Sequence, residues 1–296
     1  MSISKKSVSP FIVGTMRLGK WGQQFTTDQM EAFIRQCLEL GLKDFDHADI
    51  YGDYSTEAEF GRVLQGQPHL REQMRLITKC GIKMVAPSRP EHQYKSYNSS
   101  PAHIRLSVEK SLQNLQTDYL DLLLLHRPDY LLDPEEVAEV FTQLRKEGKV
   151  LNFGVSNFSV SQFNLLNDHF PLVTNQVEIS VQHRLAFDNG VLDQCISKQV
   201  IPMAWSPLGG GALFQDPVND QIKALQVMTN ALAIKYDAQI DQVLLAWLRK
   251  HPAGIIPVLG TSRMDRIKAA VDSQRISLTH EEWYGLWQAA TGEEIA

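Results

Sequence analysis

Cysteine is scarce in this chain and badly placed for cross-linking. Cys37, Cys80 and Cys195 are odd in number, far apart and free of any C-x-x-C pair, which argues against a disulfide framework, a zinc knuckle or a redox dithiol. Apolar runs are short as well, and none approaches the ~20 residues of a membrane-spanning helix. Met1 to Pro10 carries Lys5 and Lys6 but no long apolar stretch follows, unlike a signal peptide. The expected location is therefore the reducing cytoplasm, with no membrane partner. Excess basic charge is missing too. Against 34 Asp and Glu, 29 Lys and Arg leave a formal charge of -5, and the cations are scattered, whereas nucleic-acid binding gathers them on one face. No G-x-G-x-x-G turn follows the first strand-like run, which counts against a doubly wound dinucleotide fold.

What the chain does have is alternation of two element types. Eight β-branched or leucine-rich runs recur: Ile12–Met16, Asp44–Asp49, Leu76–Cys80, Leu120–Arg127, Val150–Ser156, Val173–Ile179, Ile201–Ser206 and Ile255–Leu259. Amphipathic stretches separate them, such as Thr27–Leu40 ended by Gly41, Ala102–Leu115 after Pro101, and Pro134–Lys146 ended by Gly148. Proline at a helix start and glycine past its end are the expected punctuation. Leu122 to Leu125 are apolar without alternation, as in a strand covered on both faces. Eight such units match a single-domain α/β protein of the (β/α)8 TIM-barrel class spanning residues 1–296.

Two irregular stretches, Cys80 to Ser100 and Leu208 to Asp220, follow the third and seventh runs. In a barrel, loops at the strand C-termini build the active site. The tips of runs two, three and four bring together Asp46, Tyr51, Lys79 and His126. A phenol is a weak acid with a reference pKa of about 10; an adjacent ammonium lowers that value, and a carboxylate keeps the ammonium charged. The set suits carbonyl reduction: Tyr51 delivers a proton and His126 a hydrogen bond to the oxygen on which charge grows. Cys80 follows Lys79, a setting that favours thiolate, although a packed, inert thiol is the preferred reading.

The stretches Asp46-His47-Ala48-Asp49-Ile50-Tyr51-Gly52, Ile77-Thr78-Lys79-Cys80 and Asp121 to His126 resemble the aldo-keto reductase family, in its bacterial general-oxidoreductase branch. Phe153-Gly154-Val155-Ser156-Asn157, Asn175-Gln176-Val177-Glu178 and Ala204-Trp205-Ser206-Pro207-Leu208 extend the resemblance, which runs from about Val13 to Ala270. It implies that Asp46, Tyr51, Lys79 and His126 form the catalytic tetrad and that the cofactor is NADPH. It further implies that Ser156, Asn157 and Gln176 bond the nicotinamide carboxamide, that Trp205 stacks on its ring, and that Ser206, Pro207 and Leu208 line the pyrophosphate. Gly14, Thr15 and Met16 are assigned to the cofactor at the first strand tip. In the last loop Gly260, Thr261, Arg263 and Arg266 open a helix where an anion is favoured, and the two guanidiniums match a 2′-phosphate. Gly260 stands where many members carry Lys, and His47 where Thr is common; His47 is read as a packing residue. Trp21, Tyr54, Tyr94 and Tyr97 are expected to wall a pocket for a small carbonyl substrate.

Two other readings compete. A nicotinamide-binding regulatory subunit would keep the cofactor site with little turnover. A metal-dependent hydrolase built on Asp46, His47, Asp49 and His126 is disfavoured, because neighbours on one strand face opposite ways; no metal is expected. The chain is expected to be a monomer or weak homo-oligomer.

Overall fold

The eight runs become eight short parallel strands in the computed structural model, which describes residues 8–295. They are β1 (Ile12–Gly14), β2 (Asp44–Asp46), β3 (Arg75–Cys80), β4 (Leu122–Leu125), β5 (Phe153–Ser156), β6 (Thr174–Glu178), β7 (Ile201–Trp205) and β8 (Ile256–Leu259). Each pairs with its neighbours in chain order, and β1 closes the ring by pairing with β8 through Ile12 opposite Val258. Helices α1 (Thr27–Glu39), α2 (Thr56–Gly66), α3 (Pro101–Leu115), α4 (Pro134–Lys146), α5 (Val160–Asn167), α6 (Val191–Ser197), α7 (Asp220–Lys235), α8 (Ile240–Arg249), α9 (Met264–Asp272) and α10 (His280–Thr291) accompany the strands. All but β3 are shorter than the apolar runs, because residues beyond their ends, such as Thr15 and His126, turn into the loops that carry the site.

Local chemistry explains the element ends. Thr26 caps α1 in a reciprocal box with Gln29, and Asp133 caps α4, where Pro134 occupies the first turn and needs no donor. The four leucines of β4 serve two cores. Leu122 and Leu124 join Ile12, Ile77, Ile201, Met203, Ile256 and Val258 inside the barrel, while Leu123 and Leu125 pack in the layer beneath the helices. That division is the physical reason for the unbroken apolar run. Replacing Leu124 by Ala would cost about 2–5 kcal/mol.

Gly14 belongs to the seam of the ring: a Cβ there would lie 2.9 Å from the Leu259 carbonyl oxygen. At the C-terminal end, Trp247 of α8 and Trp283 of α10 stack 4.8 Å apart at 7°. Each indole N–H donates to the other residue's carbonyl oxygen at 3.0 Å. Among the described residues, no helix is long and apolar enough to cross a membrane.

Candidate active site

Strand alternation sends the polar groups at the tip of β2 apart. Asp46 faces the barrel interior, where its carboxylate accepts from Lys79 Nζ at 2.6 Å and from Gln176 Nε2 at 3.0 Å. His47 faces away: its Nδ1 lies 3.0 Å from Thr15 Oγ1, and its ring meets Phe60 edge-on at 4.6 Å. Burial, helped by the Lys79 charge, pushes its pKa down to about 3. His47 is thus a neutral packing residue, turned away from Asp46.

Lys79 is 1% exposed, yet its ammonium is well supplied with acceptors. Besides Asp46 it bonds the His47 carbonyl at 2.8 Å and the Tyr51 hydroxyl at 3.2 Å. Burial alone would lower its pKa, but the charges of Asp46 and Tyr51 outweigh that and the net shift is upward. The ammonium stays charged.

For Tyr51 the expected direction is corrected. Burial raises its pKa, and with the Asp46 charge it outweighs the lowering by Lys79. The phenol therefore keeps its proton at neutral pH and releases it only to a group on which negative charge appears. The His126 ring stands almost perpendicular to the Tyr51 ring, centroids 6.1 Å apart. Burial and the charges of Lys79, Arg127 and Lys95 push its pKa well below 6.5. It is a neutral imidazole, and its Nδ1 is buried without a hydrogen-bond partner.

Behind this group the chemistry is silent. Cys80 is buried, and desolvation with the Asp49 and Glu57 charges raises its pKa well above 9.0, so the inert thiol is right and the thiolate is not. Glu57 is held by Thr78, Ser111 and Asn114, and burial raises its pKa.

One feature of the site escaped sequence reasoning. Gly52, Asp53 and Tyr54, directly after Tyr51, all adopt left-handed backbone, with φ of 61°, 57° and 71°. Such conformations cost about 1–3 kcal/mol each for non-glycine residues and persist only where surroundings enforce them. Here Lys20 Nζ and Trp21 Nε1 grip the Asp53 carboxylate at 2.5 and 3.1 Å. The Tyr54 hydroxyl accepts from Met84 N at 2.8 Å. Only Gly52 hinted at this turn.

The proposed pocket walls divide. The Trp21 ring stands 6.1 Å from that of Tyr51. Tyr54 and Tyr97 pack on the cluster of Ala48, Ile50 and Ile82, where Tyr97 belongs to a small hairpin formed by Ile82–Lys83 and Ser96–Tyr97. Tyr94 is 79% exposed and projects into solvent; the loop beyond the hairpin strand carries it away from the barrel.

The expected cofactor residues fall into four groups. Ser156, Asn157 and Trp205 interlock: Asn157 Nδ2 donates to Ser156 Oγ at 2.8 Å, and Trp205 Nε1 donates to Asn157 Oδ1 at 2.9 Å. Gln176 and Thr15 are engaged with β2 instead. The Gln176 amide nitrogen serves Asp46, and Thr15 Oγ1 donates to the Asp46 carbonyl at 3.0 Å; Met16 is partly exposed. Ser206, itself left-handed at φ 49°, leads through Pro207 and Leu208 into a tight turn, Gly209–Phe214.

At the other end Gly260 faces open space, Thr261 Oγ1 accepts from Arg263 N at 3.2 Å, and Arg266 is exposed. Arg263 is not a free clamp. Its guanidinium lies 2.5 Å from Asp265, both side chains exposed, because an acid in the first turn of α9 competes for it. A separate concavity of about 770 Å³ opens between Leu213–Pro217 and Gln226, Asn230 and Ile240; no tetrad residue lines it.

With this geometry in hand, the comparisons with known proteins are specific. The profile of the Aldo/keto reductase family matches residues 10–289. Oxidoreductase YdhF of Escherichia coli is 43% identical over 293 residues, covering 97% of this chain and 95% of the relative. A 6-dehydroglucose reductase of Agrobacterium fabrum is 40% identical, covering 99% and 97%. Among solved structures, an aldo/keto reductase from Klebsiella pneumoniae in complex with NADP and acetate superposes with a TM-score of 0.74 at 26% identity, covering 94% and 90%.

Proposed function

The chain belongs to the aldo/keto reductase family, and from that premise we propose that it is a cytoplasmic, NADPH-dependent enzyme that reduces an aldehyde or ketone to an alcohol, with Tyr51 as proton donor. The observation that carries this reading is the buried chain from Asp46 through Lys79 to Tyr51, with the neutral His126 ring beside it.

The residues suit the cofactor. Ser156 and Asn157 offer the hydroxyl and amide that match a carboxamide, and the partly exposed Trp205 ring offers a stacking face. Gly260, Thr261, Arg263 and Arg266 surround the N-terminus of α9, where phosphate is favoured, and Gly260 leaves room there. Ser206, Pro207 and Leu208 would follow the pyrophosphate, and Gly14, Thr15 and Met16 would border it at β1. When bound, NADPH supplies the hydride for the carbonyl carbon. The NADP complex of the Klebsiella relative supports this choice.

The chain's own residues handle the oxygen. Tyr51 and His126 hold the carbonyl oxygen between them, and Tyr51 gives it a proton as charge develops. Lys79 stabilises the phenolate left behind, Asp46 keeps Lys79 charged, and Gln176 holds Asp46 in register. Trp21 screens the phenol from water.

Tyr51→Phe should lower turnover by about two to four orders of magnitude while NADPH binding, followed by cofactor fluorescence, stays intact. Equal turnover in variant and parent would refute the assignment. Reduction by the parent should persist until pH passes above 10.0, since burial raises the phenol's pKa and only the protonated form donates; a fall centred below that value speaks against Tyr51. The substrate is sought by NADPH oxidation over aldehydes, ketones, quinones and, because of the named relative, 6-dehydroglucose. Tight NADPH binding without turnover on any of them would favour a regulatory subunit. Sedimentation would distinguish the monomer from a weak homo-oligomer.

A further inference from the structure

Arg127 follows His126 directly at the tip of β4, and its chemical needs are unmet. It is half-buried, with its guanidinium 5.7 Å from the Trp205 ring centroid. Among the described residues it has no acidic partner and no hydrogen-bond acceptor. Two other guanidiniums at the strand starts, by contrast, are fully employed. Arg71 serves Thr117, Met74, Tyr119 and Asp121, and Arg75 holds Asp44 through two bonds of 2.6 Å. A guanidinium carries five donors in a rigid fork, and partial burial without acceptors is costly for charged groups.

Three acids at the strand tips are committed elsewhere. Asp129, two residues on, accepts from Ser99 N at 2.8 Å, Ser99 Oγ at 2.9 Å and Leu131 N at 3.0 Å. Asp46 neutralises Lys79, and Asp53 holds Lys20. Lys95, whose charge together with that of Arg127 bears on His126, is exposed and likewise without an acidic partner among the described residues. The His126 side of the mouth is therefore left with two uncompensated positive charges beside the place where the carbonyl oxygen is handled.

Resting on the reductase reading above, we propose that Arg127 anchors an anionic oxygen group of the substrate, so that this enzyme prefers carbonyl compounds bearing a carboxylate or phosphate. A planar carboxylate meets the guanidinium fork through two parallel hydrogen bonds, and a phosphate meets it equally well. The Trp205 ring, 5.7 Å from the guanidinium, offers a cation–π contact on its side of the fork, and Lys95 adds long-range attraction that salt weakens.

The test compares matched substrates with the NADPH holoenzyme: 4-carboxybenzaldehyde against its methyl ester, and glyceraldehyde 3-phosphate against glyceraldehyde. In Arg127→Ala the KM for an anionic member should rise about tenfold or more, while the neutral member changes less than about twofold and the NADPH dissociation constant is unmoved. Arg127→Lys should recover part of the loss. The two pairs also tell which oxyanion is preferred. Equal losses on charged and neutral members, or a loss of NADPH affinity instead, would overturn the proposal. If the parent reduces no aldehyde, the reductase reading fails by itself. The anchor is then judged by benzoate and inorganic phosphate affinity for the NADPH complex: loss of either in Arg127→Ala supports it, and equal affinities overturn it.

Discussion

The two sides of the barrel mouth are built on opposite principles. Between β2 and β4, charged groups are buried and joined before any ligand arrives: Asp46 at 2% exposure, Lys79 at 1%, both fully hydrogen-bonded. Around β8 and α9, Gly260 faces open space and the Arg263–Asp265 pair stands in solvent. The first side has already met its desolvation cost during folding, so its electrostatics are fixed and strong when charge develops on a substrate. On the second side water competes with every contact, so the phosphates of the proposed cofactor would be gripped and released there.

Four substitutions would break or sharpen that contrast. The largest effect is expected for Lys79→Met, which strands the Asp46 carboxylate. Turnover should fall at least about a thousandfold, and chemical denaturation should report a loss of about 3–5 kcal/mol. A variant as stable as the parent would show that the buried side is not prebuilt as described. On the open side, Arg263→Ala should leave stability alone but weaken NADPH roughly tenfold with little change for NADH, read by fluorescence titration. Equal weakening of both would remove the 2′-phosphate from Arg263.

Asp265→Asn should release Arg263 and tighten NADPH by a few-fold, roughly the strength of a surface ion pair, more at low salt than at high. No gain would mean that Asp265 is not a competitor. The smallest effect concerns Asp49, near the tetrad. Burial and the Glu57 charge raise its pKa well above 3.8, and Oδ1 is buried without a partner. A carboxyl held protonated in the folded state contributes its full stability below the unfolded pKa, and that contribution is lost as pH rises through the folded value. Asp49→Asn should therefore gain stability relative to the parent as pH rises above the ordinary carboxylate range. A pH-independent difference would contradict the shift.

Much of the site could be read from local pattern. Leu122 to Leu125 announced a doubly covered strand, and the tips of β2 to β4 supplied Asp46, Tyr51, Lys79 and His126, because a strand's end is fixed by its own residues. What stayed hidden depends on distant chain segments. Gln176 reaches Asp46 from across the barrel, which nothing near either residue foretells. Nothing in the sequence singles out Asp265, though it captures Arg263. The Tyr51 shift was misjudged because a sequence displays the neighbouring charges and conceals the depth of burial that outweighs Lys79. The left-handed run at Gly52, Asp53 and Tyr54 requires Lys20, Trp21 and Met84 to be in place, and none of these adjoins it in the chain.

The paired indoles of Trp247 and Trp283 give the protein a built-in spectroscopic control. Two rings lying flat together at one angle couple their electronic transitions, so near-ultraviolet dichroism carries a mark of α10 being seated, and that mark fades when packing loosens. Trp205, by contrast, is held at the strand tips by Asn157 and reports on occupancy there. A titration that alters the Trp205 emission while leaving the dichroic doublet intact records ligand entering a folded barrel; one that erases both records the C-terminus coming undone.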